Sequence, residues 1–374
     1  MIKVGITGQA GFIGTHLFNF LNLKKDEIIT VPFEDSYFGN DKQLREFVSE
    51  CDTIVHLAAI NRHNDPHLLY DTNLKLVSQL LEALELTGNK PHILFSSSTQ
   101  ETRDNLYGKS KYDCRILFEK WTEKNQSSFT GFVIPNVFGP FGNPFYNSVI
   151  ATFCYQLTHN EQPRIEIDAN LQLIYVHELV NLFYQKIVSK GHSGVVRFNV
   201  QYTSEHKVSD ILSMLEIYKK LYFEGNCFPE LNNPFELNLF NTFRSYLDHS
   251  SRYPVMLRRN TDQRGSFIET IKSSIGGQFS YSTTVPGVTR GNHYHTRKIE
   301  RFIVIRGQAV IELRRIGTSE VLHFELNGVE PSFVDMPVWF THNIKNVGSE
   351  ELITLFWINE FYNPADPDTY FEDV

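Results

Sequence analysis

Two sets of residues in this 374-residue chain have the types and spacing to do chemistry. The first is Tyr107 and Lys111, four apart and so on one face if the segment is helical. An ammonium group beside a phenol lowers the phenol's pKa and can also hold a ribose. The phenol can then give or take a proton at a carbonyl or hydroxyl oxygen, and a serine hydroxyl, that of Ser98, can steady the same oxygen. A chance Tyr–Lys pair on an exposed helix is the competing explanation. The second set is His293 and His295, then Glu300, then His342 after the turn at Asp335-Met336-Pro337. On a strand, residues two apart point the same way, so His293 and His295 can face one point. Neutral imidazoles with a carboxylate suit zinc or another divalent ion. Histidines lying at the edge of a sheet would look the same in sequence.

The elements that must position the first set open the chain. Ile2 to Ile6 reads as a β-branched strand, followed by Thr7-Gly8-Gln9-Ala10-Gly11-Phe12-Ile13-Gly14 and an apolar-periodic helix. Gly8 suits a tight turn, Gly11 the approach of a diphosphate, and Gly14 the packing of helix on strand. The helix N-terminus then holds the anion, so this segment is expected to bind a dinucleotide. A second strand is expected over 27–31. The run after it, Pro32-Phe33-Glu34-Asp35, has no Arg or Lys, which leans to NAD over NADP. Asp52 to Ala59 reads as a buried parallel strand, and Leu57 and Ala58 at its end let a cofactor lie against the backbone. A helix is expected over 65–86, including Asn73, and a strand over 92–98 that ends in three serines. Asn147 and Ser148 could bind a sugar or phosphate, or Ser148 could simply cap a helix. His177 is expected to be structural. Periodicity predicts a helix over 208–223 that completes a substrate lobe, and 232–251 reads as an irregular bridge. From Ser250 onward the chain is almost all strand-like, as a small barrel requires.

Composition narrows the partners. The net charge is -8 and no Lys/Arg cluster stands out, which argues against nucleic acid. No apolar run approaches membrane-spanning length, and the first residues do not form a signal peptide, so a cytoplasmic location is expected. The four cysteines, Cys51, Cys114, Cys154 and Cys227, lack metal spacing and read as inert thiols in a reducing compartment. Thirty Phe and seventeen Tyr suit large cores and a cleft for ring-shaped ligands.

Residues 1 to about 245 resemble the extended short-chain dehydrogenases/reductases that act on nucleotide sugars. The motifs are the glycine turn, His56-Leu57-Ala58-Ala59, Asn73, Ser96-Ser97-Ser98, Tyr107-Gly108-Lys109-Ser110-Lys111 and Pro135-Asn136-Val137-Phe138-Gly139. The resemblance implies Tyr107 as catalytic acid, Lys111 as its partner on tyrosine and ribose, and Ser98 on the substrate carbonyl. It implies cofactor contacts at Gly8, Gly11, Phe12, Ile13, Gly14, Leu57, Ala58 and Lys111. Asn136 lies where the family touches the substrate diphosphate. Many relatives have an arginine just before that Asn; here the residues are Val133-Ile134-Pro135, so the contact is expected elsewhere, with Arg62 as a candidate.

The histidine-rich half resembles the two-part cupin signature, which implies that His293, His295, Glu300 and His342 converge on a divalent metal, zinc above others. Asn260 to Glu269 and Arg290-Gly291-Asn292-His293-Tyr294 are also similar to metal-free, cupin-like epimerases of the rhamnose pathway, in which the matching His is a base. The two roles compete for His293. Taken whole, the chain resembles the bifunctional capsular polysaccharide enzymes of the CapF family. That implies an α/β Rossmann-fold domain, a parallel doubly wound sheet, over residues 1–247. An all-β cupin, a jelly-roll barrel, follows over 248–374. It implies that the cupin epimerises carbon 3 of a UDP-linked 4-keto-6-deoxy-N-acetylamino sugar. The first domain would then reduce the carbon 4 ketone with NADPH, giving a UDP-6-deoxy-L-talosamine derivative on the way to L-fucosamine. It also implies a homodimer through the cupin. Three other readings remain open: a reductase with a structural cupin, a binder without turnover, and an enzyme that recycles its NAD within one site.

Overall fold

The computed structural model describes residues 1–189, 193–263 and 265–374. They form two compact units. One is Met1–Thr152 with Ile165–Val208; the other is Phe153–Arg164 with Ser209–Val374.

The first unit is built on a six-stranded parallel sheet. Its strands are β1 (Ile2–Thr7), β2 (Ile28–Val31), β3 (Thr53–His56), β4 (His92–Ser98), β5 (Ser128–Ile134) and β8 (Gly194–Asn199), in the order β2-β1-β3-β4-β5-β8. All four residues of β3 are buried, because parallel strands are covered on both faces. One face packs on α1 (Phe12–Asn22) and α6 (Val176–Val188) through Leu17, Leu21, Leu179 and Phe183. The other packs on α2 (Asp41–Glu50), α3 (Pro66–Thr87) and α4 (Leu106–Asn125) through Phe47, Val77, Leu80 and Phe118. This is the expected doubly wound arrangement. The helix limits follow from local chemistry. Asp65 caps α3 by accepting from the His67 and Leu68 amides, Pro66 begins it, and Gly88 in the left-handed region ends it. A small sheet of β6 (Asn136–Phe138), β7 (Asn170–Tyr175) and β9 (Ser204–Lys207) completes the unit. Helix α5 (Val149–Thr158) runs from one unit into the other in sequence.

The second unit contains the barrel. Its first sheet runs Val255–Met256, Ser332–Met336, Glu300–Arg306, Leu352–Ile358, Gln278–Thr284 in spatial order. The second runs Val321–Asn327, Gln308–Arg315, Phe340–Asn346, Thr289–Tyr294, Tyr370–Phe371. Neighbours within each sheet are antiparallel, as expected of a cupin jelly roll.

Two expectations for the middle of the chain do not hold. Helix α7 (Val208–Tyr218), expected in a substrate lobe, packs from Ser209 on with the barrel unit. The expected bridge over 232–251 is two helices, α8 (Pro234–Arg244) and α9 (His249–Arg252). Asn233 caps α8 by accepting from the Glu236 amide at 3.0 Å, and Leu239, Phe240 and Phe243 are buried. A buried polar cluster explains why these helices belong with the barrel. Arg301 grips Asp335 with two bonds of 2.6 and 2.9 Å, and the Tyr222 hydroxyl donates to the same carboxylate at 2.8 Å. Arg244 donates to the Tyr222 oxygen at 3.2 Å and to the Met336 carbonyl at 3.0 Å. A buried carboxylate needs such partners. The expected functional division after residue 247 and the division by compactness therefore differ over 153–164 and 209–247.

Candidate active site and metal centre

At the carboxyl ends of β1, β3 and β4 lies a cleft of about 800 Å³. Its floor is the glycine turn. Gly8 has φ +70°, and a Cβ there would lie 2.7 Å from the Ala58 amide nitrogen. A Cβ on Gly14 would lie 2.2 Å from the Gly8 carbonyl oxygen, so only glycine lets α1 start this close to β1. No side chain caps α1, which leaves its first amides to the cleft. Gly8, Gly11, Phe12, Ile13, Gly14, Leu57, Ala58 and Lys111 all line this space.

Strand β4 delivers Ser98 and helix α4 delivers Tyr107 and Lys111. Asn105 caps α4 by accepting from the Gly108 amide at 2.7 Å, which fixes the helix start at Leu106. Asn73 on α3 holds the Ile60 amide (2.7 Å) and donates to the Ser110 hydroxyl (3.0 Å), so the loop after β3 and α4 move together. The Ser98 and Tyr107 hydroxyls are hydrogen-bonded. Lys111 donates to the Ser96 carbonyl at 3.1 Å, with its ammonium 5.8 Å from the Tyr107 ring centre. The electrostatics differ from the sequence expectation. Burial pushes the Tyr107 phenol up to about 12, with the Ser98 bond opposing it. Burial also brings the Lys111 ammonium down to about 8. Desolvation outweighs the Ser98 bond, so Tyr107 holds its proton at neutral pH.

Asn136, Asn147 and Ser148 line the same cleft. Asn136 donates to the Gln172 carbonyl at 3.1 Å. Ser148 accepts from the Ala151 amide at 3.2 Å, so it caps α5 while facing the cavity. Arg62 is turned elsewhere: its guanidinium donates to the Tyr146 and Phe145 carbonyls at 3.1 and 3.4 Å. That anchors the loop before α5 and does not point to a free phosphate ligand. His177 packs edge-on against Phe20, a structural role. Sequence reasoning missed Tyr146, which also lines the cleft and whose hydroxyl accepts from the Asn61 amide at 3.2 Å. It also did not single out Phe38.

In the barrel, His293, His295, Glu300 and His342 each offer one ligand atom, all within 4.8 Å of one another. His293 and His342 sit opposite each other on adjacent strands, beside a bulge at Asn292, where φ is +57°. Glu300 comes from the other sheet; its carboxylate oxygen lies 3.1 Å from His295 Nε2 and 3.3 Å from His342 Nε2. His295 Nδ1 is bonded to the Asp368 carbonyl at 2.5 Å and His342 Nδ1 to the Phe340 carbonyl at 3.2 Å. Both Nε2 atoms therefore face inward. Those two nitrogens and Glu300 Oε2 are buried with no hydrogen-bond partner, a costly state for polar atoms. Four ligands about 2.1 Å from a tetrahedral ion lie about 3.4 Å apart, close to the two Glu300 separations. The residues fit a divalent metal. Burial pushes the Glu300 carboxyl up, but the facing His295 and His342 outweigh it and hold it well below the usual range. No helix among the described residues is long and apolar enough to cross a membrane.

Comparison with known proteins places both halves. Residues 4–200 match the NAD dependent epimerase/dehydratase family, and residues 260–370 match the polysaccharide biosynthesis C-terminal domain. UDP-2-acetamido-2,6-beta-L-arabino-hexul-4-ose reductase of Pseudomonas aeruginosa is 33% identical over 372 residues, spanning 99% of this chain and 98% of that protein. The crystal structure of capsular polysaccharide assembling protein CapF from Staphylococcus aureus is similar over 100% of both chains, with a TM-score of 0.61 and 34% identity. The chain belongs to the NAD dependent epimerase/dehydratase family, and within it to the CapF family, in which that fold is joined to a polysaccharide biosynthesis C-terminal domain.

Proposed function

We propose that this protein is a two-site nucleotide-sugar enzyme: an NAD(P)H-dependent reductase whose cupin epimerises the substrate first. The substrate is a UDP-linked 4-keto-6-deoxy-N-acetylamino hexose, and the product a UDP-6-deoxy-L-talosamine derivative for surface polysaccharide. The observation that carries the reductase is the meeting of Ser98, Tyr107 and Lys111 in a cleft floored by a glycine turn. Hydride for carbon 4 would come from a reduced nicotinamide held in this cleft. Tyr107, kept protonated by burial, donates its proton to the carbon 4 oxygen, and Ser98 hydrogen-bonds the same oxygen. Lys111 holds the ribose and stabilises the tyrosinate left behind. Asn136, Asn147 and Ser148 hold the nucleotide-sugar diphosphate and sugar.

In the cupin, His293, His295, Glu300 and His342 would hold a divalent ion, zinc best suiting the donors, which would supply a Lewis acid for the ketone. With His293 among the ligands, the proton-abstracting base is a different group. That observation also favours a second reading, in which the cupin is structural and the reductase acts alone. A homodimer through the cupin is part of the proposal; Phe279 and Tyr281 on the edge strand Gln278–Thr284 are 63% and 72% exposed. The functional division remains reductase 1–247 and cupin 248–374, in the cytoplasm.

The test is cofactor oxidation with the 4-keto substrate in heavy water, using the full chain, Tyr107→Phe and His342→Ala. Cofactor oxidation lost in Tyr107→Phe, and carbon 3 deuteration lost in His342→Ala, support both steps. Turnover of the same ketone by His342→Ala without deuteration in either form would leave the cupin a scaffold.

A further inference from the structure

We propose that the cleft selects NADH over NADPH, and that Asp35 is the specificity-determining residue. The inference rests on the dinucleotide reading above and refines it. The direction of the cofactor follows from the fold. The glycine turn lies after β1, and Tyr107 and Lys111 lie toward β4, in the order β2-β1-β3-β4. The adenosine end must therefore extend the other way, toward β2. There the cleft is lined by Asp35, Phe38, Leu57, Ala58 and Leu76.

Asp35 opens the 3-10 turn Asp35–Gly39 that follows β2. The turn is pinned. Phe33 packs on Phe38 and Phe47 with ring centres 5.4 and 4.8 Å away, and the Phe38 carbonyl accepts from Gln79 at 2.7 Å. Its carboxylate thus stands on a rigid segment at the mouth of the adenosine end. A carboxylate accepts hydrogen bonds from both ribose hydroxyls. A 2′-phosphate removes one of those donors and sets two or so negative charges against the carboxylate. Such a group needs a cation, and among the described residues no Lys or Arg lines that end. The lysine that does line the cleft, Lys111, lies at the opposite end, beside Tyr107 and the Ser96 carbonyl. The 2′-phosphate of NADPH therefore does not fit the residues present, although the resemblance to the CapF family implies NADPH.

The experiment is calorimetric titration of the full-length protein with ADP-ribose and with 2′-phospho-ADP-ribose, which separates binding from turnover. Asp35→Asn and Asp35→Arg are titrated beside it; the residue is exposed, so both variants keep the fold. The wild type should bind ADP-ribose tighter by about tenfold or more. Asp35→Asn should narrow the ratio and Asp35→Arg should reverse it. Equal or tighter binding of the 2′-phosphorylated fragment by the wild type overturns the proposal, as does an unchanged ratio in Asp35→Asn. If the protein binds neither fragment, the dinucleotide reading itself fails.

Discussion

Removing the Asp368 side chain should unseat a metal ligand from a distance. Asp368 is 2% exposed, and its carboxylate accepts from the Thr296 amide and hydroxyl (3.1 and 2.6 Å) and from the Arg297 and Lys298 amides (3.0 Å each). Its own carbonyl is the partner of His295 Nδ1. The tail strand Tyr370–Phe371 that follows pairs with Tyr294 and His293. Asp368→Ala strands three amides and a hydroxyl in the interior. Bonds to a charged acceptor are worth about 1.5–3 kcal/mol each, but they are not additive and water will enter, so a loss of about 3–5 kcal/mol is expected. Once the turn loosens, His295 loses the bond that sets its tautomer. Losing such an outer partner lowers metal affinity by about 10- to 100-fold. Zinc competition against a chromogenic chelator reads the affinity, and thermal melts with and without zinc read the stability. Asp368→Asn keeps one acceptor oxygen and should fall between. A folded Asp368→Ala protein that binds zinc with full affinity would refute the link from tail to ligand.

Three further outcomes follow from the reductase half. Lys111 is charged below about pH 8 in the fold but up to its ordinary 10.5 when unfolded, so its burial destabilises the protein fully below pH 8 and less as pH rises to 10.5. Lys111→Met should therefore stabilise the cofactor-free protein near neutral pH by up to about 3 kcal/mol, shrinking toward pH 10.5, while ending reduction; denaturant melts across that range check it. Arg115 on α4 pairs with Glu101 at 3.0 Å, both side chains nearly inaccessible, which ties the turn after Ser98 to the tyrosine helix. Arg115→Met should cost about 3 kcal/mol in melts and slow reduction by pulling Ser98 from Tyr107. Gly14→Ala should cost about 1–3 kcal/mol by displacing α1 from the Gly8 carbonyl, and calorimetry should show weaker nucleotide binding.

What could be read in sequence was local. The glycine turn, Tyr107 with Lys111, and His293 with His295 are set by spacings shorter than two helical turns, and each spacing survives in the structure. The fourth ligand, His342, needed a family pattern, because nothing in its own neighbourhood says which strand it will face. Helix α8 was legible and overlooked: Asn233-Pro234-Phe235-Glu236 is a cap, a helix-starting proline and a carboxylate in the first turn. The Arg301–Asp335 pair spans 34 residues and leaves no local trace. Nor does the acidity of Tyr107, which depends on how much water the finished cleft admits. Asp368 shows the same limit, since its partners lie some seventy residues earlier.

Taken in sequence order, the two compact units alternate: 1–152, 153–164, 165–208, 209–374. The backbone changes allegiance three times. A single cleavage or a single gene junction therefore cannot release either half intact. A fragment ending at residue 247 would keep Phe240, Phe243 and Arg244 but lose Asp335 and Met336, against which that cluster is built. Such a fragment would leave the Tyr222 hydroxyl and the Arg244 guanidinium without those partners. Shuffling these halves between relatives would need matched exchanges at three joints, so the pairing of reductase and barrel is expected to be inherited as one piece.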